Sequence, residues 1–355
     1  MENNSFYIKP LDGIRGFAVL MVMFFHYNLI DYNTIFNGMT SIVKFGQTGV
    51  TLFFVLSGFL ITRILIKAKN KENYFSHFYL RRTLRIFPLY YFFLLLTYFV
   101  LPYLNLASFV SFKEQIPFYL FYQNIAYTFE WACEGPSRYW SLAVEEHFYL
   151  IWPLIMYFFS IKNCYRIIIL IGGIAILFRI LLLKEGYGTF YFTLCRMDAI
   201  AIGCYVALME FESNYNLKIN WNKHLVVLSV IALVFGYLWF VYSEKSNLYI
   251  QIIKDIPYYY IFSILIMAMV SKESHYLQNI VKNFFNNKFL IFCGKLSFSL
   301  YVYHVMCYDI VGKIGISNIY ISILACFGLS FIIASISFFY FETPFLKLKN
   351  RFSDV

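Results

Sequence analysis

The stretch LDGIRGFAVLMVMFFH, residues 11–26, decides the fold. It is too apolar for a soluble surface, yet Asp12, Arg15 and His26 lie within it. Apolar sequence continues to residue 30, long enough to cross a hydrocarbon core of ~30 Å as an α-helix. A charge at the centre of such a span costs about 2.5–3.5 kcal/mol, so each one marks a pairing, a watery site or chemistry. From Arg15 to His26 a helix turns about 20° past three full circles and rises ~16 Å, so the two share a face without touching. Asp12 sits three residues before Arg15, on nearly the same face. Two readings follow. Either Asp12 and Arg15 merely pair while His26 hydrogen-bonds a neighbouring helix, or the face grips both ends of one long ligand.

The remaining sequence has the same character. Of 355 residues, 61% are hydrophobic and 14% charged, with a mean hydropathy of +0.64. Soluble domains run about 45–50% apolar and about 25% charged, so a soluble enzyme is excluded. Low hydrophobicity, the mark of disorder, is absent too. Apolar windows fall at 11–30, 47–66, 86–104, 140–160, 166–183, 190–209, 224–242, 256–271, 289–312 and 318–341. They are continuous rather than alternating, which argues against a barrel. The predicted fold class is all-α: a polytopic membrane helix bundle of about ten transmembrane helices. The apolar run Ile116 to Phe129 is shorter and is expected in the interface or as a re-entrant piece.

Charge sets the orientation. With the N-terminus inside, 18 of the 29 Lys and Arg residues fall on the cytoplasmic side and seven opposite, among them Lys44, Arg138 and Lys245. Both termini are therefore predicted cytoplasmic. The net charge of +10 then reflects basic cytoplasmic loops and contact with membrane lipids; no nucleic-acid partner is expected. The polar start has no cleavage site and reads as no removable signal. No inverted repeat and no linker appear, so residues 1–355 are expected to form a single domain. The seven cysteines are scattered and read as small buried hydrophobes, with neither disulfides nor a metal site expected.

Further ionisable residues interrupt the apolar runs. Glu145 and Glu146 follow Trp140-Ser141-Leu142, and Glu145 is expected near the level of His26, where a carboxylate would orient the imidazole. Arg196 and Asp198, two apart, do not pair on one helix, so each needs a partner elsewhere in the bundle. Tyr301 and His304 share another span, where a structural hydrogen bond is the first reading of His304. Arg81, Arg82 and Arg85 precede Pro88 at a predicted cytoplasmic face. They suit anionic lipid headgroups or, equally, the phosphates of a soluble donor. Phosphate-loop, dinucleotide and zinc-protease motifs are absent.

In chain order these pieces resemble the acyltransferase-3 family of integral-membrane acyltransferases, many of which O-acetylate bacterial surface glycans. The matching segments are Leu11-Asp12-Gly13-Ile14-Arg15-Gly16 with His26; Phe53-Phe54-Val55-Leu56-Ser57-Gly58-Phe59; Arg81-Arg82 with Arg85 and Pro88; and Trp140-Ser141-Leu142 with Glu145 and Phe148-Tyr149. Arg196 with Asp198 and Gly203, Leu296-Ser297-Phe298-Ser299-Leu300-Tyr301 with His304, and Glu342-Thr343-Pro344-Phe345 complete the set. The resemblance covers almost the whole chain. It implies an acyl group, acetyl foremost, taken from cytoplasmic acyl-CoA and delivered to a hydroxyl of a surface carbohydrate, free or lipid-linked. It also implies an essential His26 paired functionally with Arg15, no metal, and residence in the bacterial cytoplasmic (inner) membrane. Some relatives carry a soluble hydrolase-like domain at the C-terminus, which is not expected after Leu346.

On this reading acyl-CoA sets its phosphates against Arg81, Arg82, Arg85 and Arg15. His26 acts as general base with Glu145 orienting it, or as acyl carrier. Ser57, Ser141 or Tyr301 stabilises the oxyanion. Asp12, Arg196, Asp198 and His304 support the site. The competing expectation is a transporter or flippase for a lipid-linked glycan or small solute, its buried charges forming the path.

Overall fold

A computed structural model describes residues 7–30, 45–241, 248–272 and 275–352; among them the secondary structure is entirely helical. Residues 1–6, together with Lys44 and Lys245 of the orientation argument, lie outside this set. The helices are α1 (Lys9–Ile30), α2 (Thr48–Ala68), α3 (Tyr74–Leu95), α4 (Phe112–Tyr119), α5 (Gln123–Thr128) and α6 (Trp140–Phe158). Then come α7 (Ile161–Lys184), α8 (Thr193–Glu212), α9 (Trp221–Val241), α10 (Leu248–Ile253) and α11 (Ile256–Val270). The chain closes with α12 (Tyr276–Phe285), α13 (Lys288–Lys295), α14 (Ser297–Ile314), α15 (Ile319–Ile336) and α16 (Thr343–Lys349).

Every apolar window coincides with helix. Five stretches are long and apolar enough to cross a membrane: Thr48–Ala68, Tyr74–Tyr103, Ile161–Lys184, Gln251–Val270 and Ile319–Lys349. The window 289–312, expected as one span, is instead two helices, α13 and α14, bent by 78°; counted together they make a sixth. The helices richest in functional charge, α1, α6 and α8, lie outside that group. The run Ile116–Phe129 forms two short helices, α4 and α5. The first is stopped at its start by a Ser111–Glu114 capping box, and both are tied to their surroundings through Tyr90 and Gln123.

Local signals explain the boundaries. Ser160, Asn287 and Asn318 accept backbone N–H groups at the starts of α7, α13 and α15. A π-helical stretch, Ser337–Glu342, joins α15 to α16 just ahead of Pro344, whose missing N–H cannot continue the ladder. The turn swings Glu342 inward, where it accepts hydrogen bonds from Ser299 and Ser337.

Two glycine crossings set the frame. Gly58 of α2 lies against the Ile200 carbonyl of α8, and Gly203 of α8 lies against the Val55 carbonyl of α2. A Cβ at either position would strike backbone, so only glycine permits this approach. Gly16 of α1 meets Leu290, and Gly294 of α13 meets Asp12, in the same manner. These contacts fix α1, α2, α8 and α13 relative to one another. They set the heights at which Arg15, Ser57, Arg196 and His26 project.

Candidate active site

Two adjoining cavities run through the bundle. The first encloses about 110 Å³ between α1, α2, α3, α6 and α14. Three cations line it: Arg15, Arg82 and Arg85. Arg82 and Arg85 share a face of α3 by their i, i+3 spacing. Arg81 lines a separate small pocket beside Arg82. The three arginines are thus divided, two inside the cavity and one next to it. Arg82 lies over the rings of Phe78 and Tyr149, at 5.8 and 5.5 Å, which holds the guanidinium flat. Arg15 pairs with Asp12 at 2.6 Å, and Tyr7 donates to the other Asp12 oxygen, also at 2.6 Å. Partial burial, reinforced by that bond, pushes the Tyr7 hydroxyl up to about 12, so it remains a donor at neutral pH.

Glu145 belongs to this first cavity. Its two oxygens accept from Ser57 Oγ at 3.1 Å and Tyr149 OH at 2.9 Å. The expected contact with His26 is therefore replaced. Glu145 lies four residues before Tyr149 on α6, so both turn toward α2 and Ser57, and each carboxylate oxygen is already occupied.

The partner of His26 is His304. His26 Nδ1 lies 2.7 Å from His304 Nε2, with the rings stacked at 20°. His304 Nδ1 faces the carbonyls of Leu300 and Tyr301, both at 2.9 Å. Carbonyl oxygens only accept, so His304 Nδ1 carries the proton. In the neutral ring His304 Nε2 is then an acceptor. The proton between the rings must sit on His26 Nδ1, which leaves His26 Nε2 with a free lone pair. Two buried imidazoles and two carbonyls thus fix the tautomer that a general base needs.

The second cavity, about 320 Å³, contains that histidine. It is lined by Val22, Phe25, His26, Gln47, Arg138 and Trp140, with Val50, Phe190, Tyr191 and Tyr301. Val50 and Tyr301 line both cavities, so the cationic end and His26 open onto the same two side chains. Tyr301 OH donates to the Arg138 carbonyl, and Ser141 Oγ lies 2.6 Å from that hydroxyl. With the tyrosine proton spent, the Ser141 proton points to Tyr301.

Arg196 and Asp198 find partners elsewhere in the bundle, as their spacing requires. Arg196 pairs with Asp255 at 2.6 Å and donates to Thr51 at 2.8 Å. Asp198 pairs with Arg179 at 2.6 Å and accepts from Tyr259 at 2.9 Å. The network lies outside both cavities and ties α2, α7, α8 and α11 together. Sequence reasoning missed Arg179, Asp255 and Tyr259 as its members. It also missed Arg138, counted only as a loop charge, and Tyr149 as a ligand of Glu145. No periodic signal marks a loop residue. The i, i+4 spacing of Glu145 and Tyr149 was available to find the latter.

Residues 8–341 match the family described as the acyltransferase domain. The chain is 27% identical to the peptidoglycan O-acetyltransferase OatA of Listeria monocytogenes, over 96% of this chain and 56% of that protein. It is 28% identical to a putative O-acetyltransferase of Staphylococcus aureus strain COL, over 96% and 58%. Against the O-acetyltransferase OatA of Staphylococcus aureus strain NCTC 8325 the figures are 26%, 96% and 57%. The chain thus spans a little over half the length of these relatives. No solved structure matches. With the domain match running from just before α1 to the end of α15 and its π-helical extension, the chain belongs to the acyltransferase-3 family.

Proposed function

We propose that the chain is a multi-pass O-acyltransferase of the bacterial cytoplasmic membrane. It moves an acetyl group from cytoplasmic acetyl-CoA to a hydroxyl of a cell-surface carbohydrate. The observation that carries this reading is the free lone pair on His26 Nε2, held by His304 beside a cavity that leads to Arg15, Arg82 and Arg85. Ten crossings with both termini cytoplasmic would put the arginines at the inner face, where the donor is.

Arg82 and Arg85 take the donor's phosphates, with Arg81 at the entrance; guanidinium forks bind such groups bidentately. Arg15, braced by Asp12, guards the same end. The thin pantetheine arm passes Ser57, Glu145 and Ser141 and brings the thioester toward Tyr301 and His26. His26 Nε2 removes the acceptor hydroxyl's proton as the oxygen attacks. Glu145 shapes the donor cavity rather than orienting the base. The acceptor is a surface glycan. The name of the Listeria relative supports peptidoglycan as the first glycan to test.

Membranes containing wild type or His26→Ala are incubated with labelled acetyl-CoA, and glycan fractions are assayed for alkali-labile label and released thiol. The expected result is label and thiol in equal amounts with wild type and at least a 10²-fold loss with His26→Ala, the usual range for a general base. Equal labelling by both proteins, at equal protein level, would remove His26 from the chemistry. Donor-independent movement of a glycan across the membrane without thiol release would replace the enzyme with a transporter.

A further inference from the structure

Four of the buried or cavity-lining cations have an acid beside them: Arg15 has Asp12, Arg63 has Glu210, Arg179 has Asp198 and Arg196 has Asp255. Arg138 has none among the described residues. It lies in the loop before α6, two residues ahead of Trp140, and lines the His26 cavity. Its carbonyl is held by Tyr301, which fixes the loop against α14. Its side-chain Nε is buried with no hydrogen-bond partner. A guanidinium stays charged and offers five donors. Leaving a buried donor unmade costs about 1–3 kcal/mol, and such groups persist where a ligand or reaction supplies the missing partner.

Four of the hydroxyls nearby are already committed. The protons of Ser57 and Tyr149 go to Glu145, that of Tyr301 to the Arg138 carbonyl, and that of Ser141 to Tyr301. Gln47 and Tyr191 also line the cavity but carry no charge. We infer that Arg138 is a catalytic residue: its guanidinium holds the acyl carbonyl oxygen while that oxygen is an anion, in the cavity it shares with His26. The inference rests on the acyl-transfer reading above.

The step balances. The acceptor oxygen bonds to the thioester carbonyl carbon as its proton passes to His26 Nε2, and the carbonyl oxygen becomes an alkoxide against Arg138. Collapse restores the C=O bond and breaks the C–S bond. The thiolate takes the proton back from His26. Ester and thiol leave, and both side chains return to their starting state. Negative charge is thus generated in the cavity that holds His26, beside a cation with no acid partner among the described residues, where a preorganised donor lowers the barrier.

The test uses the full chain in membranes with acetyl-CoA and glycan acceptor. Arg138→Gln and Arg138→Lys keep the backbone bond to Tyr301 and are accepted only with wild-type melting temperatures. Arg138→Gln is expected to lose about 10²-fold in kcat with both KM values nearly unchanged, as for other oxyanion donors. In Arg138→Ala, added methylguanidinium is expected to restore part of the rate, and to restore none in His26→Ala. A raised acceptor KM with unchanged kcat would make Arg138 an anchor for a charged acceptor and overturn the inference. Full activity of Arg138→Gln, with His26→Ala inactive, would overturn it while leaving the acyl-transfer reading intact. A wild type that transfers nothing sinks both.

Discussion

Two polar clusters lie inside this apolar bundle, and they differ in how their charges are answered. Around Asp198, Arg179, Arg196, Asp255, Tyr259 and Thr51 form a closed set in which each cation has its carboxylate at 2.6 Å. Around His26, an imidazole bonded to a second, fully buried ring and a guanidinium with no acid beside it among the described residues line one cavity. The closed set answers each of its cations with a carboxylate, leaving only Arg196 Nε without a hydrogen bond, and holds helices together. The open set leaves a lone pair and a cation without an acid or hydrogen-bond partner among the described residues. Both persist in a low-dielectric interior, where a polar group must find a partner or serve as one.

Removing a member should therefore have opposite consequences in the two places. The largest effect is expected at Arg179→Met. It strands Asp198 in the interior and should cost about 3–5 kcal/mol, the range for a broken buried pair. Thermal unfolding in detergent would register it, and little folded protein should remain. An unchanged melting temperature would mean the closed cluster does not hold the frame.

His304→Ala comes next. It removes the acceptor that fixes the proton on His26 Nδ1, so both tautomers become available and the base is present only part of the time. Transfer should fall several-fold, the share of time spent in the unreactive tautomer, and the melting temperature should drop moderately because a fully buried ring is lost. Wild-type turnover in this variant would show that the paired rings do not set the proton.

The smallest effect concerns the loop that carries Arg138. Burial, aided by Glu114, pushes the Cys133 thiol there up to about 11. Since the thiolate is the reactive form, alkylation should be slow at pH 7 and rise about tenfold per pH unit until that value is approached. Cys133 is the only cysteine not fully buried, so the label is expected there alone. Rapid modification at neutral pH would mean the loop is open rather than packed.

Much of this was legible in the chain. Every apolar window became a helix, because composition alone dictates helix in an apolar solvent. The eleven-residue interval placed Arg15 and His26 along one face, and they line adjoining cavities. The need of Arg196 and Asp198 for outside partners followed from spacing. What failed depended on height and rotation between helices. Glu145 was assigned to His26 by estimated depth. In the structure its carboxylate instead meets Ser57 across the α2–α6 contact and Tyr149 on its own helix, a rotation and height between helices that sequence spacing does not set. His304 read as a structural hydrogen-bonder, and that bond proves to be to His26 itself. The 78° bend after Lys295 has no proline to announce it.

The row of rings has a further consequence, for the energy economy of the cell. A chain of imidazoles within a bilayer is a natural conductor of protons. Here the chain is two links long and stops at the carbonyls of Leu300 and Tyr301, which can receive a hydrogen bond but cannot hand a proton onward. Were His26 to take up a proton, the bonds recorded among the described residues would offer it one exit, back into the cavity. Among the described residues, then, a base on this ring pair would sit within the bundle with no onward relay to short-circuit an ion gradient across the membrane.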